Sequence, residues 1–258
     1  MVSFSPVRSV ERVLAILEHL NRNRVTTVRD LHATTGLPKP TIVRLLQTLE
    51  QTGYVSNDAG HGGYQVTSKI TSLGSGFHGD PLVVEAGRAH AVALTKHIIW
   101  PTTIAILDGT HMVVRYSTIP DSPNSPFHAT VNMQLTLDRH ALGLAYLAFC
   151  NSDEQDILIN TVLTSKERNK NRISGKEKVL RQSLRFVREQ GFAERIPYME
   201  PRSSNTIAVP IMGEERILGT LGITYFRAAY SQKDAAEKFV KKLHRTARDI
   251  AKNTRRLA

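Results

Sequence analysis

Residues 27–53 constrain the fold more than any other stretch of the chain. Thr27 opens a short segment with Val28 and Leu31 as its apolar face, and Asp30 three residues on gives a weak capping box. Gly36 stops it. Leu37-Pro38-Lys39-Pro40 is a tight turn, with Pro40 suited to the first helical position. The next helix is expected from about Thr41 to Thr52. There Ile42, Leu45, Leu46 and Leu49 point one way, Thr41, Arg44, Gln47 and Thr48 largely the other, and Gly53 is the C′ residue. Upstream, Val10, Val13, Leu14, Leu17 and Leu20 recur at helical spacing, with Ser9 as the expected N-cap. Downstream, Tyr54-Val55 and Tyr64-Gln65-Val66 flank Gly60-His61-Gly62-Gly63 and predict a hairpin. Residues 7–67 therefore read as helix, helix–turn–helix, hairpin. A short helix is expected around Ile70–Phe77, and Asp80-Pro81 breaks the chain near a domain boundary.

The remainder reads as α+β, antiparallel strands covered by helices. Residues 82–97 are expected to be helical. Thr102–Leu107 and Met112–Ser117 are strand-like around Asp108-Gly109, a hairpin signal. A loop holding Pro120, Pro123 and Pro126 follows. Ala141–Cys150 and Asp153–Leu163 predict helices, and Lys166–Arg172 a charged loop. Lys176–Gln190 predicts a helix burying Val179, Leu180, Leu184 and Val187. Thr206–Ile211 and Ile217–Tyr225 are strands, and Gln232–Thr254 is a helix with Ala236, Phe239, Val240, Leu243, Ala247 and Ile250 inward.

In a helix–turn–helix, the second helix enters the major groove and the side chains at its N-terminal end reach base edges. Here that end carries Lys39, Pro40, Thr41 and Arg44, with Gln47 one turn on. Arginine can pair bidentately with guanine. Thr41 and the free N–H groups of the helix end can hold a phosphate. Arg8 and Thr27, at the starts of the two preceding helices, are further expected phosphate contacts, and the hairpin tip with His61 is an expected wing. The formal net charge of +11 suits a polyanionic partner but is unevenly spread. Residues 1–80 hold +2, residues 81–165 hold −3 and residues 166–258 hold +12. The basic last third adds long-range attraction to DNA, faces a partner subunit, or is solvated.

Four segments of the N-terminal part carry a family resemblance: Val7-Arg8-Ser9-Val10-Glu11-Arg12, Thr34-Thr35-Gly36-Leu37-Pro38-Lys39, Arg44-Leu45-Leu46-Gln47-Thr48-Leu49 and Gly53-Tyr54-Val55. They resemble the N-terminal domain of the IclR-type transcriptional regulators. Gly74-Ser75-Gly76-Phe77 is similar to the family's linker helix. Ala141-Leu142-Gly143, Gly191-Phe192 and Ile207-Ala208-Val209-Pro210-Ile211 extend the likeness over nearly the whole chain. The resemblance implies a winged helix–turn–helix domain (1–68), a linker helix (69–81) and a GAF-like effector-binding and oligomerisation domain with an antiparallel sheet (82–258). It also implies a homodimer or dimer of dimers on palindromic promoter DNA, with RNA polymerase as a further partner. Trp100-Pro101-Thr102, Phe127-His128 and Leu147-Ala148-Phe149-Cys150 look most like the activators of hydroxyphenylpropionate catabolism. The expected effector is then a small aromatic carboxylic acid. By motif, its site comprises Phe127, Leu135, Ala141, Leu142 and Gly143 on one side and Thr206, Ala208, Gly222 and Thr224 on the sheet. Where many members read Gly-Arg-Arg-Leu-Pro-Leu-His-Ala-Thr, this chain reads Asn132-Met133-Gln134-Leu135-Thr136-Leu137-Asp138-Arg139-His140. Arg139 and His140 are candidate partners for the carboxylate.

Other chemistries lack their signatures. Gly74-Ser75-Gly76-Phe77-His78-Gly79 matches G-x-G-x-x-G, but a helix leads in and Asp80-Pro81 follows, not the βαβ unit a dinucleotide needs. The histidines show no H-E-x-x-H, and His90 and His97 lack a third ligand, so no metal or cofactor is expected. Cys150 is expected to be a buried thiol, and a single cysteine with no export signal or membrane-length apolar run fits a reducing cytoplasm. An effector-independent architectural DNA-binding protein and an enzyme built on the second domain are the competing readings. No converging acid, base or nucleophile favours the enzyme.

Overall fold

The computed structural model describes residues 5–58, 60, 62–76, 81–164, 176–196 and 199–258. The chain divides into two compact units, Met1–Gly79 and Asp80–Ala258. The first contains α1 (Arg8–Arg22), α2 (Val28–Thr35), α3 (Lys39–Gln51), β1 (Val55–Asp58) and β2 (Gly63–Val66). A 3-10 turn, Ser68–Ile70, and the one-turn α4 (Thr71–Gly74) follow. The expected helix end at Phe77 lies outside the described residues.

The capping box at Thr27 and Asp30 is formed, and Gly36 ends α2 in the left-handed region at φ 69°. Gly53 does the same beyond α3 at φ 80°. Ile16, Leu20, Leu31, Ile42, Leu46, Leu49 and Val55 form the core of this unit. Helix α3 starts at Lys39, so Pro40 occupies its second position rather than its first. Ser9 does not cap α1. The Val7 carbonyl already accepts the N–H groups of Val10 and Glu11, which closes the first turn around Ser9. The inward face of α1 also differs from expectation. Its apolar residues span a wider arc than its contact with α2 and β2 can cover. Ile16 and Leu20 are buried, whereas Val10 and Leu14 are each 54% exposed.

The second unit is α+β. Its elements are α5 (Leu82–Ile98), β3 (Thr102–Asp108), β4 (His111–Ser117), β5 (Gln134–Thr136), α6 (Ala141–Phe149) and α7 (Ser152–Thr164). Then come α8 (Lys176–Gln190), β6 (Ala193–Glu194), β7 (Ser204–Met212), β8 (Ile217–Phe226) and α9 (Gln232–Leu257). The sheet order is β5-β4-β3-β8-β7-β6, and every neighbour is antiparallel. Strands β5 and β6 are too short to show alternation in the sequence, and they edge the sheet. The expected charged loop Lys166–Arg172 lies outside the described residues. In α8, Leu180, Leu184 and Val187 are buried but Val179 is 67% exposed, because one residue's rotation of about 100° carries it off that stripe. On α9 it is Ala235 rather than Ala236 that is fully buried.

Strand alternation sorts residues by size. Ile104, Ile207, Val209, Ile211, Leu221, Ile223 and Tyr225 pack with α5 and α9. On the other face Ala105, Met112, Val114 and Ala208 pack with α6, α7 and α8. Helix α6 lies across β7 and β8. Gly143 on α6 approaches the strand that leads into it: a Cβ there would stand 2.5 Å from Leu137 Cα and 2.5 Å from the Thr136 carbonyl oxygen. Both are backbone atoms and cannot turn aside.

Gly143→Ala should therefore destabilise the second unit although alanine is the better helix former. The expected net loss is about 1–3 kcal/mol, typical of overpacking, read as a lower urea midpoint with unchanged slope. An unchanged or raised midpoint would contradict this packing.

Candidate functional site

In the first unit the chemistry converges on the start of α3. Its N-cap is Pro38, with no side-chain cap, so the first-turn N–H groups of Lys39 and Thr41 are left for an external acceptor. Lys39, Pro40, Arg44 and Gln47 are exposed and Thr41 is half-buried. No acidic side chain occurs on α3 before Glu50. The structure thus brings Pro40, Arg44 and Gln47 onto one outward face of α3, with Lys39 and the half-buried Thr41 on either side of it in the first turn. Arg8 is exposed at the first residue of α1. Thr27 is more engaged than the sequence implied: its Oγ1 donates to the Asp30 carboxylate at 2.7 Å and accepts the Asp30 N–H at 3.2 Å. The Thr27 hydroxyl in turn holds the Asp30 carboxyl below the usual range. His61 lies outside the described residues. Thr26 and Tyr64 exchange backbone hydrogen bonds of 2.9 and 2.8 Å, which tie the hairpin to the loop before α2.

In the second unit a cavity of ≈ 90 Å³ opens between the small-residue face of the sheet and the start of α6. Sites for drug-sized ligands run to about 300–1,000 Å³ and about 150 Å³ holds a benzene ring, so this cavity takes a few heavy atoms as it stands and must widen for a ring. Val114, Phe127, Met133, Leu135, Leu142 and Pro201 supply apolar wall. Thr206 and Thr224 pair directly across β7 and β8, their hydroxyls 3.1 Å apart. Thr103 and Thr130 add hydroxyls, and the buried Thr130 Oγ1 has no partner.

Arg195 provides the charge. It is 4% exposed and lines the cavity. Its Nη2 donates to the carbonyl oxygens of Pro201, at 2.7 Å, and Ser204. Its buried Nε has no partner. Among the described residues no carboxylate forms an ion pair with it, and burial, followed by the nearby Arg227 charge, lowers its hold on its proton. Nη2 also donates to the Ser204 hydroxyl at 3.3 Å, and a buried cation satisfied only by neutral oxygens favours an anion in the adjacent space.

His140 adds a directed donor. Its Nδ1 accepts the Thr136 N–H at 3.0 Å, so a neutral ring carries its proton on Nε2. Burial pushes its pKa down to about 4, which leaves it neutral near pH 7.

Seven of the expected effector residues line the cavity: Phe127, Leu135, His140, Ala141, Leu142, Thr206 and Thr224. Four do not. Arg139 is half-exposed beside Asp138, its side chain turned outward at 3.9 Å from that carboxylate. Gly143 is spent on the α6 approach. Gly222 serves the same packing, since a Cβ there would meet Leu142 Cδ2 at 3.0 Å. Ala208 is fully buried and pairs with Gly222 and Ala193. Arg195 was missed. Its one signal is the alternation from Ala193, which puts both residues on the inner face of a strand edge. Cys150 is a buried thiol, and burial pushes its pKa up to about 12. His90 bonds Asn253 at 2.8 Å, and no metal-binding cluster occurs among the described residues. No helix among them is long and apolar enough to cross a membrane.

The His140 environment has a pH signature. Between its folded value of about 4 and its ordinary 6.5, the unfolded chain binds a proton that the folded chain does not. Acidification through that window should destabilise the second unit, and His140→Asn should flatten the decline. Parallel stability-against-pH curves for the two proteins, by chemical denaturation, would contradict the assignment.

Comparison with known proteins bears on both units. Residues 9–59 match the IclR helix-turn-helix domain, and residues 92–252 match the C-terminal domain of bacterial IclR transcriptional regulators. The regulator KdgR of Dickeya chrysanthemi is 27% identical over 249 residues, covering 95% of this chain and 79% of that protein. KdgR of Escherichia coli K12 is 25% identical over 246 residues, covering 95% and 92%. Among solved structures, Thermotoga maritima IclR has a TM-score of 0.61 at 19% identity, over 96% of this chain and 98% of its own. An IclR homologue from Microbacterium hydrocarbonoxydans, complexed with 4-hydroxybenzoate, has a TM-score of 0.60 at 18% identity, over 96% and 99%. These structural likenesses concern the fold. The match over residues 92–252 spans more than half of the chain. The chain belongs to the IclR family, whose members are transcriptional regulators and not enzymes.

Proposed function

We propose that this regulator reads a palindromic promoter site through residues 1–68 and responds to a small aromatic carboxylic acid held by residues 82–258, the two joined by a linker over 69–81. The observation that carries the effector reading is Arg195, a buried guanidinium without a carboxylate partner at the wall of a small cavity. The acid's carboxylate meets Arg195 and the uncapped first turn of α6. The His140 Nε2–H and the hydroxyls of Thr103, Thr130, Thr206 and Thr224 serve a ring hydroxyl, and Phe127, Val114 and Leu142 flank the ring. The likeness of Trp100-Pro101-Thr102 and Phe127-His128 to the hydroxyphenylpropionate activators supports an aromatic acid. So does the complex of the Microbacterium homologue with 4-hydroxybenzoate.

On DNA, Arg44 and Gln47 read base edges. Lys39, Thr41 and the free N–H groups of α3 hold a phosphate, and Pro40 fixes the backbone there. Arg8 and the His61 wing add backbone contacts, whereas Thr27, whose N–H and hydroxyl both donate to Asp30, caps α2 and has no donor left for a phosphate. The protein acts as a homodimer or dimer of dimers, matching the two-fold symmetry of its site. The effector binds one dimer geometry better and so changes half-site spacing or contact with RNA polymerase.

Arg44→Ala should lower affinity for the DNA upstream of the gene by roughly 10-fold or more while leaving the melting temperature unchanged. A gel shift with no loss would remove Arg44 from the reading surface. In a thermal-shift screen, hydroxylated aromatic acids should raise the melting temperature of the wild type, and Arg195→Met should abolish that rise. Stabilisation by aliphatic hydroxy acids alone would sink the aromatic reading, and stabilisation by no acid would favour an effector-independent DNA-binding protein.

A further inference from the structure

The excess charge of the last third has a definite place in the fold. Lys238, Lys241, Arg245, Arg248, Lys252 and Arg255 on α9 follow one another at steps of three and four residues, so they make a single stripe. At 100° per residue their mean direction lies about 180° from that of the buried set Ala235, Phe239, Leu243, Ala247, Ile250 and Thr254. All six are exposed. Asp249 is the only acidic residue between positions 238 and 256, against eight basic ones. The two ends of the stripe are partly engaged. Lys238 Nζ donates to the Tyr230 hydroxyl at 2.7 Å, and Arg255 pairs with Glu214. Between them, Lys241, Arg245, Arg248 and Lys252 make no ion pair among the described residues. Like charges at these spacings repel, which is a standing electrostatic cost to the helix.

We propose that this face of α9 is a second DNA-contacting surface, binding the phosphate backbone of duplex DNA without regard to sequence. The inference rests on the chain being a DNA-binding regulator and is separate from the role of α3. The stripe runs for about 25 Å, the axial rise of roughly seven base pairs at ~3.4 Å each, and so meets those phosphates that this length of duplex turns toward it. Its cations are regularly spaced and outnumber the acidic residues on the same side, Glu237 at its start and Asp249 at its flank. Along α9 itself between Lys238 and Arg256 no large apolar side chain is exposed; the apolar hollow beside it, formed by Met212, Leu218 and Ala251, borders only the C-terminal end of the stripe at Arg248, Lys252 and Arg255. An acidic protein partner would need such anchors at the centre of its interface, whereas a phosphate backbone needs only the cations.

The test compares full-length wild type with the quadruple variant Lys241→Gln, Arg245→Gln, Arg248→Gln and Lys252→Gln. Two probes are used, the DNA upstream of the gene and a random-sequence duplex of the same length. The variant should lose affinity by a similar factor on both probes, roughly tenfold or more at low salt, and its log K against log salt slope should flatten by roughly 3. Arg44→Ala should do the opposite, removing the difference between the probes and keeping the random-duplex affinity. Failure of the α3 reading is thereby distinguishable from failure of the stripe. In the wild type, Lys241 and Lys252 should be protected from acetylation by the random duplex, a readout that needs no variant to fold. An unchanged slope, equal acetylation with and without DNA, or a loss confined to the upstream DNA would overturn the proposal. Unchanged DNA binding would leave an acidic protein as the occupant.

Discussion

The second unit depends on how closely α6 can approach the sheet. Strands β7 and β8 turn branched and aromatic residues toward α5 and α9, and threonine, alanine and glycine toward α6. The helix then settles until the backbone at Gly143 nearly touches the backbone at Leu137. Separately, on β8, Gly222 leaves room for the Leu142 side chain of α6, with Ala208 paired beside it. Further along the same strands, Thr206 and Thr224 are large enough to hold α6 off and too small to fill the gap, so a cavity remains at the start of the helix. The close contact and the cavity are two consequences of one size pattern.

Once the cavity exists, its chemistry follows from what borders it. An uncapped helix start, a neutral histidine with Nε2–H free and a buried guanidinium are all donors. The Glu200 carboxylate also borders the cavity; it pairs with Arg202 at 3.0 Å, makes no ion pair with Arg195, and offsets part of the Arg195 charge from a distance. A site built from donors around apolar walls selects an anion with an apolar body. Positive charge is put to a different use on the surface of α9. There the cations are hydrated, and their effect on a partner is screened by salt.

Much of the first unit was legible because its signals are local. Thr27 with Asp30, Gly36, Gly53 and the glycine-rich hairpin tip are each decided within a few residues by backbone conformation and capping. Helix faces were less legible. Val10 and Leu14 match the helical period as well as Ile16 does, yet only their neighbours in space determine which of them is covered. Val179 failed for the same reason. The two shortest strands, β5 and β6, were invisible because three and two residues cannot display a period.

The residues expected at the effector site divide along the same line. Thr206 and Thr224 were identified from motifs, and the register pairs them directly. Arg139 and Arg195 are both arginines near expected site residues, and only the fold separates them, turning one toward solvent and burying the other. The sequence by itself determined the class of fold, the position of the helix–turn–helix and the amount of charge, because these follow from local conformation, periodicity and counting. The tertiary structure decided which arginine lines the cavity and which face of α9 bears the charge, because burial is set by contacts between residues far apart in the chain.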